Sequence, residues 1–234
     1  MQLNTLLSFV LPLRNEIDQF EETIDSLLTQ DLRCQIIVID DASTDGTFEK
    51  LVEKYGDKVT IVRNEEHMGT AFSRNVGNTL VTTPYIAVCD SDLYYHSRAR
   101  KLLDAIALDP DVDVFHTACD VYKKGRGKTS HGVGTTDRFF DDVSTCRTIP
   151  VIHPTACYKR TVAIQHPYLE ISKETDCFDY FFMRLLKMGC KFKAIPKPTM
   201  LKYSGTTKRD KQGCEAIRLK HYTEFGIPYT MKEK

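Results

Sequence analysis

Tyr85-Ile86-Ala87-Val88-Cys89-Asp90-Ser91-Asp92 decides the fold, because an apolar run there stops abruptly at two acids two residues apart. A short apolar run bounded by polar residues reads as a strand buried on both faces. Residues i and i+2 of an extended segment point to the same side. Asp90 and Asp92 are therefore expected to converge on one hard cation that prefers oxygen ligands. In open α/β sheets ligands bind beyond the carboxyl ends of the strands, where these acids lie. The plainer reading, a strand followed by an Asx-turn, uses the same residues, since Asp and Ser are ordinary turn formers.

The same punctuation recurs upstream. Residues 6–11 form a short apolar strand closed by Pro12. Ile17, Phe20, Ile24, Leu27 and Leu28 then fall at helical spacing with charge opposite, which predicts an amphipathic helix over 17–30. Ile36-Ile37-Val38-Ile39 is a second buried strand, ending in the polar loop Asp40-Asp41-Ala42-Ser43-Thr44-Asp45-Gly46, and a helix with Phe48, Leu51, Val52 and Tyr55 follows. A third strand covers 59–62, and Gly69 opens a helix over 70–80 that carries Arg74 and Asn75. The 85–89 strand and a helix over 98–108 complete the series. Four strand–helix alternations mean βαβ units, hence an α/β fold with a mainly parallel, Rossmann-like sheet flanked by helices.

After Pro110 the alternation breaks. Residues 112–122 are strand-like, whereas Lys123-Lys124-Gly125-Arg126-Gly127-Lys128 and the Gly/Thr/Ser-rich residues to 136 read as a long loop. Residues 151–158 are again strand-like, with His153-Pro154-Thr155 inside. A helix over 176–188 gathers Glu174, Asp176 and Asp179 near its first turn, where negative charge is favoured. Short strands over 192–195 and 199–203 and a terminal helix over 214–222 close the chain. One domain over 1–234 is expected, with a nucleotide-binding half (1–110) and a second half (111–234).

Composition narrows the partners. Lys+Arg and Asp+Glu balance at 32 each, so no global field draws nucleic acid or an anionic membrane. Eight cysteines are scattered without a C-x-x-C pair, which argues for reduced, packed thiols and a cytoplasmic location rather than zinc or a disulfide framework. Residues 6–13 lack the charged flank of a signal peptide, and no window approaches the ~20 apolar residues of a membrane span. A soluble protein is expected.

Three strand ends carry the chemistry: Pro12-Leu13-Arg14-Asn15-Glu16, Asp40-Asp41 and Asp90-Ser91-Asp92. If the sheet is parallel they open on one edge. Carboxylates crowded there repel unless a cation or donor-rich ligand sits among them, which points to a divalent ion and a polyphosphate. Arg74 can balance the anion, and Asp41 can accept a hydrogen bond from a base imide. Neither a G-x-G-x-x-G nor a Walker loop follows the first strand, so dinucleotide and ordinary ATPase chemistry lose their support.

Taken together, Val10-Leu11-Pro12-Leu13-Arg14-Asn15-Glu16, Val38-Ile39-Asp40-Asp41-Ala42-Ser43-Thr44-Asp45-Gly46-Thr47, Gly69-Thr70-Ala71-Phe72-Ser73-Arg74-Asn75-Val76-Gly77 and Asp90-Ser91-Asp92 resemble a family-2 glycosyltransferase of the GT-A fold. The resemblance covers residues 6–108 and extends more loosely to about 203. It implies a nucleotide-sugar-binding half and an acceptor-side C-terminal portion. It also implies a donor site of Pro12, Leu13, Arg14, Glu16, Asp41, Arg74, Asp90 and Ser91, and Mn²⁺ or Mg²⁺ held by Asp92 with Asp90. Inverting transfer needs one general base, and the matching stretch Lys173-Glu174-Thr175-Asp176 puts Asp176 first and Glu174 second. His153 and Asp179 are acceptor-side candidates.

The expectation is thus a metal-assisted hexosyltransferase (EC 2.4) moving sugar from a UDP-sugar to an acceptor hydroxyl, with polysaccharide biosynthesis as the setting the family implies. Asp41 suits uracil and thymine alike, so the choice of UDP rests on the family. A nucleotide-sugar-binding protein without turnover is one alternative, because Thr175 interrupts the family's acidic pair. A transferase acting on a modified DNA base is another. Basic residues at 123–128 and 202–211 favour it and the neutral net charge opposes it.

Overall fold

The computed structural model describes residues 6–123, 127–131, 151–170 and 178–203. In chain order the elements are β1 (Leu7–Leu13), α1 (Phe20–Leu28), β2 (Gln35–Asp40), α2 (Thr47–Tyr55), β3 (Thr60–Arg63), α3 (Thr70–Leu80), β4 (Tyr85–Val88), β5 (Leu93–Tyr94), α4 (Arg98–Leu108), β6 (Val114–Lys123), β7 (Gly127–His131), a 3₁₀ turn at His153–Thr155, β8 (Cys157–Lys159), α5 (Arg160–Gln165), α6 (Phe178–Lys187) and β9 (Phe192–Tyr203). The strands make one mixed sheet in the order β3-β2-β1-β4-β8-β6-β9-β5, with β7 on the far side of β6. Its first four strands are parallel, with Leu13 opposite Asp40 and Val10 opposite Val88. The first three polar loops therefore leave the sheet on one edge, as the sequence predicts.

The apolar runs of β1, β2 and β4 reflect burial on both faces. Phe9, Leu11 and Val38 meet Phe20, Ile24 and Leu27 of α1, Leu51 and Tyr55 of α2, and Leu102 and Ile106 of α4. Their neighbours Val10, Ile37, Ile39 and Val88 face Val162 and Ala163 of α5 and Phe181, Phe182 and Leu185 of α6. Helix α3 lies on this second face, where a Cβ on Gly77 would come within 2.5 Å of Val10 Cγ1 and 3.4 Å of Ile39 Cγ1. Only a glycine lets α3 approach β1 this closely.

Beyond β4 the structure departs from the expectation in three places. Residues 127–131 are not loop but strand β7, a hairpin on β6 with Tyr122 opposite Lys128. The polar composition hid it: Gly127 turns at φ +72°, and Lys128 Nζ sits 2.6 Å from the buried Asp120 carboxylate. The two short strands at 192–195 and 199–203 are one strand, β9, whose register against β6 shifts around Thr117 and Ala118. Those irregularities accommodate Pro196 and Pro198, which cannot donate to a ladder. The run 151–158 is broken by the turn carrying Pro154 near its start, and only Cys157–Lys159 pairs in the sheet, antiparallel to both β4 and β6. The expected helix over 214–222 lies outside the described residues.

The buried cysteines match the packed-thiol reading. Burial pushes Cys34 up to about 12, Cys89 to about 11 and Cys157 to about 12, which keeps them protonated and inert. Among the described residues no helix is long and apolar enough to cross a membrane.

The tight α3–β1 approach gives a first prediction. Gly77→Ala must displace the stiff Val10 side chain and should lower unfolding stability by about 1–3 kcal/mol in a urea titration; an unchanged midpoint would contradict the packing described.

Candidate functional site

The loops after β1 and β2 are stitched into one wall. Asn15 N–H donates to Ser43 Oγ (3.0 Å), Glu16 N–H to Thr47 Oγ1 (3.0 Å) and Ile17 N–H to Asp45 Oδ2 (3.3 Å). Thr44 N–H returns a bond to Asn15 Oδ1 at 2.8 Å. Asn15 (φ 52°) and Ala42 (φ 54°) both take the left-handed conformation, sparsely populated for non-glycine residues and typical of strained functional loops. Nothing in the apolar periodicity marks either residue; an Asn in a strand-end loop was the one available hint.

Asp41 organises the next loop. Its Oδ1 accepts from Asn64 Nδ2 (2.7 Å) and Met68 N–H (2.8 Å), and its Oδ2 from Gly69 N–H (2.8 Å) with His67 Nδ1 at 2.7 Å. Burial opposes ionisation, but the Met68, Asn64, Gly69 and His67 donors together hold the carboxyl below the usual carboxylate range. A carboxylate has about four lone-pair directions, and these donors fill them. As it stands, then, Asp41 fixes residues 64–69 and the start of α3. Gly69 itself (φ 93°, ψ 162°) sits where only glycine is comfortable.

Arg74, expected beside a diphosphate, is 1% exposed. Its guanidinium donates to Cys89 O at 2.9 Å and pairs with Asp90. It lies beneath the end of β4 and fixes the acidic turn from inside. The neighbouring Asn75 does the same for another segment: its amide donates to Tyr168 O and accepts from Tyr168 N–H, both at 2.9 Å. Arg98, which sequence reasoning passed over, is equally buried and donates to Val88 O and Pro154 O at 2.8 Å.

Asp90 and Asp92 sit on a tight turn rather than on an extended strand. Strand β4 ends at Val88, and Asp92 N–H donates to Asp90 O at 2.7 Å, closing a three-residue turn braced by the Tyr94 hydroxyl on Asp90. Asp90 pairs through Oδ1 with Arg74, and His153 Nδ1 stands 3.9 Å from the same oxygen. Asp92 faces β9, where Lys202 Nζ stands 4.0 Å from its Oδ2.

Glu16 closes the cluster. Burial pushes its carboxyl up to about 7; the Ser91 hydroxyl pulls it down, and the charges of Asp90, Asp92 and Asp45 push it further up. The three strand ends thus do meet, and the electrostatic strain falls on Glu16. Among the described residues no three His, Cys, Asp or Glu side chains gather as a closed metal cage. Mg²⁺-type sites need only one or two carboxylates, the rest coming from water and phosphate. The acids at this edge, Glu16, Asp90 and Asp92, offer oxygen donors only, the donor type such an ion takes.

Of the other expected residues, Pro12 is half-buried and Arg14 exposed at the mouth, whereas Leu13 is 2% exposed in the core. Leu13 meets the site only through its backbone oxygen, which accepts from Asp41 N–H at 2.8 Å; its side chain cannot line a ligand, because β1 is still buried there. His153 is buried too, its Nε2 2.9 Å from the Tyr168 hydroxyl and its ring against Phe182. Glu174 and Asp176 lie outside the described residues, and of Asp179 the structure describes only the backbone, in the first turn of α6.

This arrangement belongs to a recognised class. The family model "Glycosyl transferase family 2" matches residues 8–166, and the chain belongs to that family. An uncharacterised glycosyltransferase of Escherichia coli (strain K12), YibD, is 30% identical over 138 residues, 58% of this chain and 40% of its own length. The chain spans less than half the length of the first curated relatives it matches. Among solved structures, S. aureus TarS superposes with a TM-score of 0.68 at 18% identity, covering 94% of this chain and 72% of that one, and it has been solved with UDP and with UDP-GlcNAc. A Pyrobaculum calidifontis mannosyltransferase in complex with GDP-Man and Mn²⁺ gives 0.64 at 20% identity, covering 94% and 63%. At these identities the likeness establishes the GT-A fold, and the family match places the chain in glycosyl transferase family 2.

Glu16 generates a second prediction. Its folded pKa near 7 exceeds the ordinary value of 4.5, so the folded state keeps a proton that the unfolded chain releases. Ionising it destabilises the fold, and stability should fall as pH rises from about 4.5 to about 7. Glu16→Gln should flatten that part of the melting-temperature profile of the ligand-free protein; a variant with the wild-type slope would contradict the assignment.

Proposed function

We propose that this chain moves a sugar from a nucleotide-diphosphate sugar, with UDP as the nucleotide, to an acceptor hydroxyl with inversion at the anomeric carbon. One observation carries the reading: Glu16, the Asp40–Asp45 loop and the Asp90-Ser91-Asp92 turn meet at a single sheet edge, with the turn anchored from inside by Arg74. The UDP and GDP-Man complexes of the two structural neighbours support a nucleotide-sugar donor for this fold.

The residues divide the work. Pro12, Arg14 and Ser91 border the donor cleft. Asp41 acts on it through the 64–69 loop it holds, and Arg74 through the turn it fixes. Asp92, with Asp90 behind it, would hold Mn²⁺ or Mg²⁺. When bound, that ion supplies Lewis-acid stabilisation of charge on the departing diphosphate. Asp176, two residues before α6, takes the proton of the acceptor hydroxyl as general base, with Glu174 as its alternate. His153 and Asp179 belong to the acceptor side of this reading, and the acceptor is the hydroxyl of a growing surface glycan. Single-domain organisation and a cytoplasmic location, in keeping with the buried free thiols, complete the proposal.

Two variants test it by calorimetry with UDP and by UDP-sugar consumption. Asp92→Ala should abolish the Mn²⁺ dependence of UDP binding, and a retained dependence would reject the metal assignment. Asp176→Asn should keep wild-type UDP affinity and lose transfer by a factor of roughly 10²–10⁴, the usual worth of a general base. An active variant would move the base to Glu174.

A further inference from the structure

Strand β5 is two residues long, and its pairing places a charge the donor site has not yet used. Leu93 lies opposite Leu201 and Tyr94 opposite Met200 in the antiparallel β5–β9 pair. Extending that register by one residue sets Asp92 directly across from Lys202. Side chains directly opposite on antiparallel strands are neighbours, and the Lys202 ammonium accordingly stands 4.0 Å from Asp92 Oδ2. The backbone of Lys202 is fixed from the other side as well, by its register with Val121 of β6.

The pair is asymmetric. Asp92 is 9% exposed and held in a tight turn, whereas Lys202 is 30% exposed on a flexible four-carbon stem. At 4.0 Å the ammonium attracts the carboxylate without being locked to it by a hydrogen bond. Among the described residues, two other cations of this half of the sheet are held by acids of their own. The Arg74 guanidinium is buried on Cys89 and Asp90, and Lys128 sits 2.6 Å from Asp120. A divalent ion arriving at Asp92 would meet the Lys202 charge head-on and drive it from the carboxylate. A diphosphate arriving with that ion would offer the displaced ammonium a new anionic partner.

Building on the donor-site reading, we propose that Lys202 is the resident counter-ion of Asp92, yielding the carboxylate to a divalent metal and passing its own charge to the donor diphosphate. The ammonium balances Asp92 while the site is empty. With donor bound, its three N–H donors add charge-assisted hydrogen bonds to the diphosphate, where negative charge grows as the sugar departs. Lys202 is then a binding residue of the leaving group, and a competitor of the metal only in the absence of nucleotide.

This dual role predicts effects of opposite sign, which a residue that merely supports β9 would not show. In Lys202→Met, Mn²⁺ alone should bind several-fold more tightly, read from the free Mn²⁺ signal in electron paramagnetic resonance. UDP at saturating Mn²⁺ should bind roughly ten- to a hundred-fold more weakly, read by calorimetry. Lys202→Arg should return both affinities toward wild type. A Lys202→Met protein with wild-type UDP affinity overturns the proposal, as does one whose Mn²⁺ affinity falls alongside its UDP affinity. A wild-type protein that binds neither Mn²⁺ nor UDP refutes the donor-site reading itself, and the role of Lys202 falls with it.

Discussion

The buried guanidinium of Arg74 is the constraint on which the rest of the site depends. A cation sealed in the interior is costly unless neighbouring groups satisfy it, and here the Cys89 carbonyl and the Asp90 carboxylate do so. In doing so they are themselves fixed, one at the last turn of the β4 backbone and the other at the start of the acidic turn. The reach of Arg74 depends in turn on α3 lying hard against β1, which the missing side chain of Gly77 permits. Its neighbour Asn75 carries the same helix's influence to residues 166–170. Helix α3 thus acts as a rigid clip between the strand-end acids and the second half of the sheet.

Around that clip the carboxylates fall into separate roles. Asp41 is saturated with donors and spends its charge on loop geometry. Asp90 is paired inward. Asp92 and Glu16 stand toward the cleft, where burial first, and then the charges of Asp90, Asp92 and Asp45, raise Glu16 toward neutrality. A site built this way is incomplete without positive charge from outside. Lys202 supplies part of it across the β5–β9 pair, and a metal with a diphosphate would supply the remainder.

The first half of this fold is legible in the sequence because each strand is buried on both faces and each helix shows an apolar stripe, so periodicity alone marks them. Beyond Pro110 that signal fails for physical reasons. Strand β7 is polar and held by a turn glycine and the Lys128–Asp120 pair, and β9 runs through two prolines with irregular pairing. The site residues were legible as residue types but not as roles. Asp90 and Asp92 look interchangeable until the turn separates them. Leu13 looks like a lining residue until its side chain is found in the core, and Arg74 looks like an anion receptor until its burial is known. Ala42 and His67 carry no local signature, and the parts of Asn15 and Lys202 are set by left-handed backbone and by cross-strand register rather than by residue type.

The central claim is that this sheet edge receives a nucleotide diphosphate together with a divalent cation. Thermal unfolding against a panel of nucleoside diphosphates, each with and without Mn²⁺, tests it most directly, because a ligand that binds only the folded state raises its stability by mass action. The account predicts a rise in melting temperature with UDP that requires Mn²⁺. No shift with any nucleotide in the presence of Mn²⁺ would contradict it.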